Sequence, residues 1–87
     1  MTIKVIHPDG RIEYPSKMSF KQLRQTVGGF VQVVPVRDEQ VCMDEEGLLK
    51  GYPLNPTATA LYRDTVNTGR GGAVGVWVVL TGKDRLR

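Results

Sequence analysis

Polar and apolar residues alternate over Thr2-Ile3-Lys4-Val5-Ile6, and the β-branched side chains strengthen the strand pattern. His7-Pro8-Asp9-Gly10 follows, with Asp-Gly as a strong turn signal, and Arg11-Ile12-Glu13-Tyr14 resumes the alternation. The pattern predicts an N-terminal β-hairpin that Pro15 ends, because proline has no amide hydrogen for a ladder. The period then changes. Phe20, Leu23 and Val27 stand at i, i+3 and i+7, one helical face. Ser19 and Gln22 match a capping box, Met18 and Leu23 a hydrophobic staple, and Gly28 the left-handed residue that closes a helix.

Phe30 to Val36 is the most strand-like run of the first half and is apolar on both phases. That predicts a central strand covered on both faces, entered through Gly29, with Pro35 marking a bulge or the strand's end. Arg37-Asp38-Glu39 reads as a turn and Gln40–Met43 as the next strand. Asp44-Glu45-Glu46-Gly47 reads as a solvated acidic turn, with Gly47 at positive φ. Asn55-Pro56 starts a second helix, Asn as N-cap and Pro at the first helical position, with Ala58, Leu61 and Tyr62 inward and the end near Asp64. Residues 64–72 read as a glycine-rich polar loop. Ala73–Leu80 is the last strand, Val74, Val76, Val78 and Leu80 on one face, Trp77 and Val79 on the other.

The expected class is α+β in the order ββαββαβ: a single small mixed, largely antiparallel sheet, with two short helices taken to share one face. Residues 1–80 form one domain and 81–87 a polar basic tail. At 87 residues the core is modest, which leaves room for stabilisation by oligomerisation.

Charge changes the picture little. The net +3 divides into a mildly basic body and an acidic belt at 38–46, not the clustered basic face of nucleic-acid binding. Cys42 is the only cysteine and reads as buried filler in a reducing compartment. The N-terminus lacks a signal-peptide pattern, and the longest apolar run, Ala73–Leu80, falls well short of the ~20 residues of a membrane span. The expectation is a soluble cytoplasmic protein with no membrane partner.

Candidate chemistry is sparse. Gly69-Arg70-Gly71-Gly72 lacks phosphate-loop spacing and enters a strand rather than a helix. The acidic turn lacks the alternating ligands of a calcium loop. His7 has no neighbouring nucleophile and fits a hairpin end, and one His with one Cys cannot make a zinc site. No catalytic residue, metal or cofactor is nominated.

Four segments together resemble domain of unknown function family 3846: Val27–Val34 with Gly28-Gly29, Met43–Gly51, Pro53–Leu61, and Ala73-Val74-Gly75. The resemblance extends from Ile3 to Leu80. The family pattern commonly carries an acid where this chain has Val76, and often one at Gln32. The resemblance implies an accessory protein of a bacteriophage or mobile element acting in a bacterial cytoplasm, and brings no activity with it. The leading expectation is a non-enzymatic interaction module that binds a host protein or itself. A second is a binder of a small nucleotide-like signal through Gly28, Gly29, Asn55, Thr57 and Arg70. Weak nucleic-acid binding through Lys4, Arg11, Arg63, Arg70 and the tail ranks third, and an enzyme last.

Overall fold

The computed structural model describes residues 3–47, 49–63 and 72–84. Its elements are β1 (Ile3–Ile6), β2 (Ile12–Glu13), α1 (Phe20–Val27), β3 (Val31–Val36), β4 (Glu39–Asp44), α2 (Pro56–Leu61) and β5 (Trp77–Thr81), then a 3-10 turn at Gly82–Asp84. This is the expected ββαββαβ order. The five strands form one sheet, β2-β1-β5-β4-β3, and every described pair is antiparallel.

Two local hairpins form the flanks. In the first, Val5 lies opposite Glu13 and Ile6 opposite Ile12, with Gly10 at φ +93°. The Asp9 side chain accepts from the Arg11 amide at 2.9 Å, and His7 Nε2 contacts Glu13 at 2.6 Å, so the lone histidine pins the hairpin. In the second, Val36 pairs with Glu39 around a two-residue loop. Arg37 takes φ +56° there, in the left-handed region that such primed turns need at their first position.

The last strand joins the two hairpins. β5 lies between β1 and β4, with Ile3 opposite Leu80 and Val41 opposite Val79. Trp77, Val78, Val79 and Leu80 are all buried, each contributing about 1.5–3 kcal/mol as an upper estimate. β5 is thus the centre of the fold. The apolar run at Val31–Val36 is instead an edge strand, largely exposed or half-buried. Its position accounts for Pro35. The Glu45 amide donates to the Phe30 carbonyl at 2.8 Å, which makes Phe30, Gln32, Val34 and Val36 the residues that bond β4. Residue 35 points its backbone outward, so proline costs no ladder bond.

The sheet is covered on both faces, not on one. Leu23 and Val27 of α1 pack on Val5, Cys42, Val78 and Leu80. Ala58 of α2 and the adjoining Tyr62 pack on Ile6, Val41, Met43, Trp77 and Val79. Successive strand residues alternate between the two clusters, so both helices hold the sheet between them. Phe20 and Leu61, expected inward, are 54% and 53% exposed. α2 stops at Leu61, with Tyr62 as its C-cap, three residues short of the expected end. Among the described residues no helix is long and apolar enough to cross a membrane.

Candidate functional site

The Ser19 capping box forms as expected. The Ser19 hydroxyl accepts from the Gln22 amide at 3.1 Å, and the Gln22 side chain accepts from the Ser19 amide at 2.8 Å. At the other end Gly28 takes φ +103°, and the amides of Gly28 and Gly29 both donate to the Arg24 carbonyl. The glycine pair ends up against the far side of the acidic turn.

Asp44 is the last residue of β4 and lies on the same face as Cys42, toward α1. It is buried, not solvated. Its Oδ1 accepts from the Glu46 amide at 2.8 Å, which tightens the chain reversal. That reversal brings back two side chains: Lys50 Nζ and the Tyr52 hydroxyl each donate to Asp44 Oδ2 at 2.8 Å. Lys50 Nζ also donates to the Gly28 carbonyl at 3.1 Å, placing a cation at the C-terminal end of α1, where the helix dipole favours it. The Tyr52 hydroxyl lies 3.5 Å from the same carbonyl; its one proton is spent on Asp44.

Glycine suits this close approach, and Gly28 needs it for its positive φ as well. A Cβ at Gly28 would sit 2.3 Å from the Tyr52 hydroxyl, and one at Gly29 would sit 2.5 Å from Lys50 Nζ. Gly75, at φ +74°, closes the other side: a Cβ there would lie 2.7 Å from the Tyr52 ring. Gly47 does not have the expected positive φ; Gly51 does, at +71°. Gly47 leaves room for Val74, whose Cγ2 would be 3.1 Å from a Cβ.

The electrostatics are those of a locked ion pair. Burial is the largest single influence on Asp44 and alone would raise its pKa. The Lys50 hydrogen bond, the Glu46 amide, the Tyr52 hydroxyl and the Lys50 charge together hold it below the ordinary 3.8. The Asp44 hydrogen bond is the main reason Lys50 stays above 10.5, and likewise the main reason Tyr52 stays above 10.0. At neutral pH the carboxylate and ammonium remain charged and the phenol neutral, so neither Lys50 nor Tyr52 is poised to give up a proton near pH 7.

The outer side of the glycine turn is open. A shallow groove of about 690 Å³ is lined by Phe20, Lys21, Arg24, Gln25, Gly28 and Gly29. The Arg24 guanidinium stands 6.0 Å from the centroid of the Phe30 ring, which is 63% exposed.

The five residues expected to share a ligand do not form one described site. Gly28 and Gly29 close α1 on one face of the sheet, while Asn55 caps α2 on the other. Asn55 is fully buried, and its side chain is spent internally: Oδ1 accepts from the Ala58 amide at 3.0 Å, and Nδ2 donates to the carbonyls of Ile6 and Gly75 at 2.9 and 2.8 Å. Thr57 is half-buried in α2, a helix of six residues. Arg70 lies outside the described residues, as do most of the 64–72 loop and the end of the tail. Of the basic residues considered for nucleic acid, Lys4 and Arg63 share a cleft with Arg37 and Glu39, while Arg11 sits in the distant hairpin turn. Burial raises the Cys42 thiol to about 11, in keeping with a filler role. Among the described residues, no group of three or more His, Cys, Asp or Glu could hold a metal ion.

Sequence reasoning missed Asp44, Lys50 and Tyr52. One signal was available: extending the strand phase one residue past Met43 puts Asp44 on the same face as Cys42.

The fold and the site define a small three-layer α+β domain with an open groove above a glycine turn that a buried ion pair braces. The chain matches Domain of unknown function (DUF3846) over residues 1–85 and belongs to that family. Neither a curated protein nor a solved structure matches it.

Proposed function

We propose that this chain is a non-enzymatic binding module whose recognition surface is the groove beside Gly28 and Gly29. The make-up of that surface is the observation that carries the reading. Phe20 and Phe30 are 54% and 63% exposed, and the described lining adds Lys21 and Arg24 without an acidic residue. Aromatic rings flanked by cations suit a protein segment with an apolar anchor and acidic neighbours. The Asp44–Lys50–Tyr52 brace supports the reading further, because a floor held rigid before binding reduces the entropy lost on association. In the bacteriophage or mobile-element setting that the family resemblance implies, the segment would belong to a host protein in the bacterial cytoplasm.

Titration of the isotopically labelled chain tests this reading with two peptides, one carrying an aromatic residue among acids and the other with lysines in place of the acids. The acidic peptide should shift the resonances of Phe20, Arg24, Gly29 and Phe30 and weaken with salt. Arg24→Glu should weaken it by about tenfold or more. Equal binding of both peptides, or no shift at millimolar acidic peptide, would overturn the reading.

A further inference from the structure

The backbone of β3 has one side unused. Because Phe30, Gln32, Val34 and Val36 bond β4, the amides of Val31 and Val33 and the carbonyls of Val31, Val33 and Pro35 point away from the sheet. Among the described residues no strand pairs on that side. Natural edge strands are usually kept short or carry charges or prolines that discourage pairing, and Pro35 is the one such device in β3. The opposite edge of this sheet, β2, is two residues long. β3 has six residues, Val-Gln-Val-Val-Pro-Val, with no charge, and Val33 is 38% exposed.

We infer that this edge is a self-association surface, on which β3 of a second copy pairs antiparallel about a two-fold axis at Val33. This goes beyond the groove reading and does not depend on it. The inventory of outward groups is self-complementary in that register. Val33 faces Val33 of the second copy and exchanges two hydrogen bonds with it. Val31 faces Pro35 of the second copy and donates to its carbonyl, and the symmetric contact repeats this. The missing proline amide therefore falls opposite the Val31 carbonyl at the rim, and four bonds form at the centre. Moving the axis two residues to Val31 shortens the overlap, and moving it to Pro35 sets proline against proline and runs Val33 against the Arg37 turn. In the same register Phe30 faces Val36 of the second copy, so the exposed Arg37-Asp38 turn of that copy lies at the end of the groove. The product is a continuous ten-stranded sheet with short β2 strands at both ends.

Sedimentation of the full chain across ~10–500 µM, with amide exchange measured on the same samples, tests the inference. A species of twice the 9.7 kDa chain mass is expected, with the Val31 and Val33 amides slowing in exchange as dimer accumulates. Val33→Pro removes one outward donor and no bond to β4, and should shift the population to monomer. Val33→Lys keeps every backbone group and should do the same, which preserves the test if the proline variant misfolds. A wild-type chain that stays monomeric throughout would overturn the inference. So would a dimer that both variants leave intact, or one in which the two amides exchange as fast as in monomer.

Discussion

Asp44 and Asn55 are the two buried polar side chains among the described residues, and they solve the same problem differently. Both stand at the end of a regular element and both tie down segments remote in sequence. Asn55 is neutral and bonds only backbone: a helix amide, a carbonyl at the end of β1 and the Gly75 carbonyl. Asp44 is charged and relies on side chains, the partly exposed Lys50 and Tyr52, plus one amide. A buried amide with every partner in the backbone is a fixed joint, indifferent to pH and salt. A buried carboxylate needs its countercharge, so it makes the glycine turn conditional on protonation. The fixed joint lies on the side of α2; the conditional one underlies the groove.

Asn55→Asp should break this comparison most severely. As a cap alone, Asp is equivalent to Asn and the variant would be neutral. In this fold it replaces a donor with a carboxylate facing two carbonyl oxygens, and should cost roughly 3–5 kcal/mol in urea denaturation at pH 7. A loss under about 0.5 kcal/mol would show that capping is all Asn55 does.

Asp44→Asn should cost less, about 1–3 kcal/mol, and should change the shape of the pH profile. The folded carboxyl titrates below its ordinary 3.8, so its contribution is complete above that value and is lost as pH falls through the folded pKa. Wild-type stability should therefore decline below about pH 4, and the variant should lack that part of the decline. Lys50 has the opposite sign: its contribution is complete below 10.5 and lost as pH rises through its raised pKa. Parallel acid limbs in the two proteins would mean that the pair is not formed in solution.

Gly28→Ala should cost about 1–2 kcal/mol for a side chain in the left-handed region, with the loss of the Tyr52 bond to Asp44 added to it. Its Cβ displaces the Tyr52 hydroxyl, so the tyrosine's ultraviolet titration should move back toward 10.0. A Tyr52 titration unchanged by this substitution would separate the glycine turn from the brace.

Local periodicity carried most of the secondary structure. The first hairpin, the Ser19 box, the Gly28 closure and the Asn55-Pro56 start depend on groups within a few residues of one another, and they form where the pattern placed them. Strand order did not follow from such signals. An apolar run such as Val31–Val36 has the same composition at an edge as at a centre, and only the pairing of β5 with β1 and β4 sends it outward. Pro35 was the one residue that argued for the edge, through its missing amide. The candidate site was legible in half. Gly28 and Gly29 were marked as a helix closure, but their partners lie fifteen to twenty-four residues away.

The sequence by itself determined the elements, their caps and the family, because these depend on short-range sterics and on the order of residues. The tertiary structure decided that the last strand is central, that the helices take opposite faces and that Asp44 is buried. It also decided that Gly28 and Gly29 make room for Lys50 and Tyr52. Each of these rests on two segments meeting across the sheet, and burial and close approach exist only after that meeting.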